Sequence, residues 1–346
     1  MGRLAALTIL VAVAGDGSCV SGRQSRRSRG LPVPRALVRR IGSQSVAEPS
    51  KTVTEIDGRR LTLTNLDKVM YPAAGFTKAA VVDYYARVAP VLLPHLRGRP
   101  LTMVRWPDGV DGPSFFEKRC PPHAPEWVHT APVGDDLVQC VVDDVATLVW
   151  VANLASLELH TLQATAEDPE HPPSLVLDLD PGAPAGILDC CRVALELRTT
   201  LDRLGLVAVV KTSGGKGLHL ALPVRGATAD ETKAFARALG QLLATEDPKR
   251  VTIVMAREQR RGRVFVDWSQ NDRHKTTVSV YSLRARERPF VSTPLSWDEV
   301  SDALDDNNGE RLQFEAPDVL DRVARLGDLY EANLTVQQEL PALKGL

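Results

Sequence analysis

Along this chain the spacing of apolar residues shifts repeatedly between every second position and every third or fourth, so strands and helices are predicted to mix. Folded sequence is predicted to begin near Thr52. Residues 62–72 read as a short strand followed by a capped turn, and Thr77 as the N-cap of a helix over 78–93. Val81, Val82, Tyr85 and Val88 share one face of that helix, and Pro94 closes it. Residues 137–143 form a predicted strand, and 145–162 one strongly apolar helix with His160 near its end. Residues 174–177 read as a buried strand that runs into Asp178-Leu179-Asp180-Pro181-Gly182. Helices are predicted over 188–204 and 229–244. Between them lie strands over 206–211 and 218–223, joined by Ser213-Gly214-Gly215-Lys216-Gly217. Two more strands follow over 263–267 and 277–281, and 297–330 is mostly helical. No internal repeat is present, and strict βαβ alternation is missing, so the pattern predicts an α+β fold.

The chain has 346 residues, 44% apolar and 25% charged, which is ordinary globular composition and ample for a real core. No stretch is long and apolar enough to span a bilayer. The net charge of -1 conceals a division: residues 249–290 hold eleven Lys/Arg against four Asp/Glu, whereas 298–346 hold twelve acids against four bases. A basic segment beside an acidic tail points to a phosphate-rich ligand on one face. Five cysteines, Cys19, Cys120, Cys140, Cys190 and Cys191, form no C-x-x-C pair. Their odd number and irregular spacing suit a reducing cytosol better than zinc or a disulfide framework. The first fifteen residues pattern like a short secretion signal, and a basic low-complexity run follows from Arg23. Because the rest reads as a nucleotide enzyme, residues 1–50 are expected to be a disordered or non-native leader and 51–340 a cytoplasmic catalytic domain.

The candidate chemistry starts from Asp178 and Asp180. Two residues apart on a strand, their carboxylates share a face and repel each other unless a cation sits between them. Hard oxygen donors of this kind suit Mg²⁺ or Mn²⁺. Asp-x-Asp alone is a weak signal, but Asp267 ends a second apolar strand. Three strand-borne acids can hold two metal ions that clamp the attacking and leaving oxygens of an in-line displacement. The glycine run allows backbone N–H groups to approach phosphates closely and Lys216 adds charge, although the P-loop spacing is missing. Arg260, Arg261, Arg263, Lys275, Arg284 and Arg286 flank Asp267 in sequence, and guanidinium groups grip phosphates with two bonds. Phe115 and Phe116, followed by Lys118, outline a platform on which bases stack.

With these residues assembled, the chain resembles the polymerase domain of bacterial ligase D, within the archaeo-eukaryotic primase superfamily, over about residues 62–329. Three motifs carry the likeness: Asp178-Leu179-Asp180-Pro181-Gly182, Thr212-Ser213-Gly214-Gly215-Lys216-Gly217-Leu218-His219, and Val264-Phe265-Val266-Asp267-Trp268-Ser269-Gln270-Asn271. The resemblance implies a primase–polymerase core of two mixed or antiparallel sheets flanked by helices. It implies two metal ions, manganese or magnesium, on Asp178, Asp180 and Asp267. Triphosphate contacts are implied for Ser213, Lys216, His219 and Arg284, with Gln270 among the nucleotide contacts and His160 near the incoming sugar. Asn65 and Lys68 are implied near a downstream 5′-phosphate. The position where the family commonly carries a second lysine, before Arg-Trp-Pro, is Val104 here. Arg105 is expected to take its place, though it should face the other way on a strand, and Lys78 is a further expected DNA contact that could hold the phosphate if Lys68 does not. Phe115, Phe116, Lys118, Arg260, Lys275 and Arg286 are expected DNA contacts.

Such domains fill short gaps and extend broken ends, often with ribonucleotides. The expected partners are gapped or broken DNA with its template strand, and separate ligase and end-binding proteins, for a monomer that meets no membrane. No ligase or nuclease segment is recognisable, which suggests a stand-alone form, and the segment 132–140 is short for the family's surface hairpin. A glycosyltransferase also uses Asp-x-Asp to hold a nucleotide diphosphate but needs neither Asp267 nor the arginines. A DNA-end binding module without catalysis would not need all three acids.

Overall fold

The computed structural model describes residues 50–342, so the leader expected over 1–50 lies outside the described residues except for Ser50. Most strands belong to two six-stranded sheets. The first is ordered Val251–Thr252, Val264–Asp267, Ser174–Pro181, Leu218–Pro223, Val209–Thr212, Pro294–Leu295. Its first pair is parallel and the others antiparallel. The second sheet, ordered Thr276–Val278, Ser156–Leu162, Pro100–Arg105, Leu137–Val141, Thr130–Val133, is antiparallel, and Phe115–Glu117 also pairs with Pro100–Arg105. Helices flank both sheets, as an α+β fold requires.

Alternation along the first sheet sorts its side chains. Leu175, Leu177, Leu179, Leu218, Leu220, Leu222, Val264 and Val266 bury in one core together with helices Ile187–Arg203 and Ala229–Glu246. Residues one step out of phase take the opposite face, which puts Asp178, Asp180, His219 and Asp267 on the same side as Val176 and Ala221. Val176 and Ala221 pack into the second core, built on helices Lys78–Leu96 and Val145–Asn153. The acids therefore lie on the face of the first sheet that looks toward the second core, near the ends of their strands.

The strands expected over 206–211 and 277–281 are shifted to Val209–Thr212 and Thr276–Val278, and two boundaries differ more widely from the pattern. Residues 145–162 are not one helix: the helix ends at Asn153, Ala155 takes a left-handed conformation with φ 60°, and Ser156–Leu162 is a strand between Pro100–Arg105 and Thr276–Val278. The period changes from 3.6 to 2 at Ala155, where Leu157 and Leu159 go into the core and Glu158 and His160 to the other face. Uniform apolarity up to Leu157 hides that change. Pro94 does not close its helix either. With Thr77 capping its start as expected, the helix runs to Leu96 with Pro90 and Pro94 inside, and its last turn is held by fully buried Leu92 and Leu96.

The cysteine reading is also corrected. Cys120 and Cys140 form a disulfide, bringing the segment after Phe115–Glu117 onto Leu137–Val141, while Cys190 and Cys191 are free and buried. The hairpin between Thr130–Val133 and Leu137–Val141 turns over Gly134, Asp135 and Asp136. Among the described residues no helix is long and apolar enough to cross a membrane.

Candidate active site

The register of the first sheet sets Asp178 directly opposite Asp267 on one neighbouring strand and opposite His219 on the other. Each acid is held by its own partner. Asp178 Oδ1 lies 3.3 Å from His219 Nε2, and Asp180 Oδ2 lies 3.5 Å from an Arg260 guanidinium nitrogen. Asp267 accepts the Ser269 N–H at 3.0 Å and the Ser269 hydroxyl. The Gln270 amide donates to Asp267 at 3.1 Å and reaches Asp178 at 3.5 Å, so this side chain braces two acids. Among the described residues no three His, Cys, Asp or Glu side chains gather into one coordination shell.

The electrostatics set the acids apart. Burial alone would push the Asp178 carboxyl up, but His219, Lys211 and Arg284 more than offset it and hold it below the usual range. Asp180 goes the other way: burial and the Asp178 charge raise it, Asp267 adds to the repulsion, and Arg260 opposes. Three hard-oxygen donors that repel one another across two strands fit a divalent Mg²⁺ or Mn²⁺.

Behind the acids sits Lys211, which sequence reasoning missed. Its buried ammonium donates to Ser292 Oγ at 2.7 Å and to His219 Nδ1 at 3.1 Å. That contact leaves the proton of a neutral His219 on Nε2, facing Asp178. Burial, and then Arg284, bring the lysine down to about 7, and burial followed by Lys211 lowers His219. A lysine inside the apolar run Val209-Val210-Lys211 was the available signal, because a buried ammonium needs a polar reason.

The glycine loop crosses directly over this corner. A Cβ at Gly217 would stand 2.2 Å from the Leu179 carbonyl oxygen, and one at Gly214 would stand 2.4 Å from Arg284 Cγ. Ser213 Oγ accepts the Gly217 N–H at 3.3 Å, and Lys216 projects into solvent. Arg284 donates to the Ser213 carbonyl, and a Gly215 Cβ would meet the Arg286 guanidinium. His219 and Arg284 therefore act on Asp178, and Ser213 and Arg286 meet at the loop beside Arg284, whereas Lys216 is exposed and makes no contact with the acids. Glu158 was also missed. It accepts from His160 at 2.8 Å, lies 3.1 Å from Arg284 Nε and accepts the Ala285 N–H at 3.0 Å. The i, i+2 spacing of Glu158 and His160 was its signal, concealed by reading the segment as helix.

The remaining sites divide. Lys275 donates to Ser269 Oγ, which places it behind Asp267 and not on an open surface. Arg260 stacks on Phe265, its guanidinium carbon 3.7 Å from the ring centre. Phe115 and Phe116 are exposed on their strand, Phe116 lies edge-on to His160 with ring centres 6.2 Å apart, and Lys118 is exposed just beyond.

About 560 Å³ of cleft opens on the other side of the second sheet, lined by Asn65, Lys78, Arg105, Arg60 and Trp127 among others. Lys78 is buried there and donates to the Thr64 carbonyl at 2.7 Å. Burial, Lys68 and Arg105 lower it to about 8. Arg105 lines this cleft by ordinary alternation: it shares the phase of Leu101 and Met103, which face the core that contains the cleft residue Trp150. It donates to the Leu154 carbonyl at 2.7 Å and to Glu117 at 2.6 Å. Lys68 does not converge with Asn65: it forms a 2.6 Å ion pair with Asp108 instead.

Comparison with known proteins gives one answer. A family model described as "LigD, primase-polymerase domain" matches residues 77–330. The chain is 42% identical over 281 residues to the multifunctional non-homologous end joining protein LigD of Mycolicibacterium smegmatis, covering 78% of this chain and 35% of that protein. It is 38% identical to the Pseudomonas aeruginosa protein of the same name, covering 76% of this chain and 31% of that one. The chain thus spans about a third of the length of these relatives. Among solved structures it resembles the polymerase domain from Mycobacterium tuberculosis ligase D in complex with DNA. The TM-score is 0.72 and the identity 40%, over 79% of this chain and 97% of that one.

Proposed function

Because the chain belongs to the LigD primase–polymerase family, we propose that it is a template-directed nucleotidyltransferase that fills short gaps or extends broken DNA ends during repair. The observation that carries this reading is the pairing of Asp178 with Asp267 across adjacent strands, beneath a glycine loop tied down by Arg284. The glycosyltransferase alternative falls with the family match, and with three acids intact a purely binding module has no support.

Asp178, Asp180 and Asp267 would hold the divalent ions. When bound, those ions supply charge neutralisation at the attacking and leaving oxygens of phosphoryl transfer. The protein's own residues do the rest. Gln270 and Ser269 fix the Asp267 carboxylate, and Lys211 fixes His219 against Asp178. Ser213, Lys216, His219 and Arg284 receive the triphosphate, with backbone N–H groups of the glycine loop approaching it closely. His160 meets the sugar, where a 2′-hydroxyl distinguishes ribose from deoxyribose, so ribonucleotides are preferred. Phe115 and Phe116 stack against template bases, with Lys118, Arg260 and Arg286 near the strand backbone. A downstream 5′-phosphate binds in the cleft of Asn65, Lys78 and Arg105, with Lys68 engaged by Asp108 at its edge.

With DNA as substrate, the reading extends to a cytoplasmic protein that works with ligase and end-binding proteins. The Cys120–Cys140 bond argues the other way on compartment, since disulfides are rare in a reducing cytosol. The test is extension of a gapped duplex with each ribo- and deoxyribonucleotide in Mg²⁺ and in Mn²⁺. Template-matched addition is the expected result, and addition that ignores the template base would overturn the reading.

A further inference from the structure

Glu158 is a carboxylate with 7% of its residue surface exposed, on a strand whose other members face the core or the sheet. Burying a charge is costly unless partners compensate, so the partners indicate why it is there. All three belong to the nucleotide side of the site: the His160 ring at 2.8 Å, Arg284 Nε at 3.1 Å and the Ala285 N–H at 3.0 Å. His160 shares its strand face at i+2, and both neighbours of that strand are paired, so the Glu158–His160 geometry is set by a rigid register. Arg284 reaches onward to the Ser213 carbonyl in the glycine loop. One carboxylate thereby connects the side chain at the sugar with the guanidinium at the phosphates.

We propose that Glu158 is a positioning residue for the incoming nucleotide, fixing the tautomer and orientation of His160 while clamping Arg284 against the glycine loop. A carboxylate can only accept, so the bonded His160 nitrogen, Nε2, carries the proton. A neutral ring then presents Nδ1 as an acceptor, to which a ribose 2′-hydroxyl donates. Without Glu158 the ring turns and can present its proton instead, and Arg284 loses the partner opposite Ser213. Supporting this, the hydrogen bond from His160 and the charge of Arg284 counter the cost of burial, and the Glu158 carboxyl is held well below its usual range, so it remains an anion.

The inference rests on reading His160 as the sugar contact and Arg284 as a phosphate contact, and the test separates the two claims. Glu158→Gln keeps the shape but replaces one acceptor oxygen by a donor. The expected result is a ribo-to-deoxyribonucleotide ratio of kcat/KM reduced about threefold or more, with KM raised about tenfold for both sugars and kcat changed less. Glu158→Asp, which keeps the acceptor, recovers part of the ratio. Equal losses for both sugars in the Gln variant identify a merely structural role and overturn the proposal. If His160→Ala collapses the ratio while Glu158→Gln leaves it intact, the sugar reading stands and the proposal for Glu158 fails. If His160→Ala leaves the ratio unchanged, the sugar reading has failed first and takes the proposal with it. A measurement on the unaltered protein guards against misfolded variants: ¹⁵N shifts of the His160 ring must show the proton on Nε2, and a proton on Nδ1 alone overturns the tautomer argument.

Discussion

Asp178 and Asp267 face each other as register partners on two adjacent antiparallel strands, and the Gln270 amide reaches both carboxylates. These two charges, with Asp180 on the same face, are the proposed seat of the divalent ions. Replacing Asp267 by Ala, or Asp178 by Ala, is expected to lower nucleotide addition by at least about 10³-fold, since metal stabilisation of phosphoryl transfer amounts to several kcal/mol. Affinity for gapped DNA, which rests on Lys/Arg contacts to phosphates, should change little. Primer extension and a DNA-binding titration check this together. Substantial extension by Asp267→Ala would sink the metal assignment.

The cleft proposed for the 5′-phosphate gives a pH prediction. Lys78 is lowered from 10.5 to about 8, first by burial and then by Lys68 and Arg105. Its charge is therefore complete near pH 7 and lost as pH rises through 8, whereas a terminal phosphate, with its second pKa about 6, stays doubly charged over that range. The added affinity from a downstream 5′-phosphate should fall between about pH 7 and 9. Lys78→Arg should flatten the fall, because a guanidinium keeps its charge. Binding to gapped duplex with and without the phosphate, at several pH values, measures it, and a pH-independent increment in the unaltered protein would contradict the assignment.

The same cleft separates two lysines. Lys68 is engaged by Asp108, whereas Lys78 lines the pocket. Lys78→Ala should reduce discrimination for the 5′-phosphate by about 1.5–3 kcal/mol, the range for one charge-assisted contact. Lys68→Ala should cost distinctly less, since its partner is already on the protein. The reverse order of effects would show that Lys68 leaves Asp108 to take the phosphate.

Phe116 is 65% exposed on its strand, more than any structural role requires, and lies edge-on to His160. Phe116→Ala should weaken productive template binding by about 1–3 kcal/mol, the scale of one base–aromatic stack. Thermal stability should change little, since an exposed ring buries little surface. A large loss of melting temperature with unchanged extension would assign the ring to packing instead.

Gly217→Ala tests the loop. Its Cβ would overlap the Leu179 carbonyl oxygen, a backbone atom of the strand bearing Asp178 and Asp180. The loop must lift, and forcing an extra methyl into packed surroundings costs about 1–3 kcal/mol. KM for the nucleotide should rise sharply. Urea unfolding and extension kinetics report the two effects separately, and unchanged values for both would show that the loop is not held against that strand.

The sequence by itself determined the acids, the glycine loop and their sheet faces. Period-2 alternation is a local property, so Leu175, Leu177 and Leu179 going inward forces Asp178 and Asp180 outward wherever the strand ends up. It also determined the Thr77 cap and the strand Leu218–Pro223, whose signals lie within a few residues. The tertiary structure decided what depends on neighbours distant in the chain. Residues 145–162 divide into helix and strand because Pro100–Arg105 and Thr276–Val278 offer pairing partners on both sides of Ser156–Leu162, a choice that apolar composition alone leaves open. Folding also brought Arg105 and Lys78 into one cleft and paired Lys68 with Asp108. Lys211 and Glu158 acquired their roles only when Ser292 and Arg284, more than eighty residues further on, were folded against them. A buried charge is defined by what surrounds it, and for these two residues the surroundings come from elsewhere in the chain.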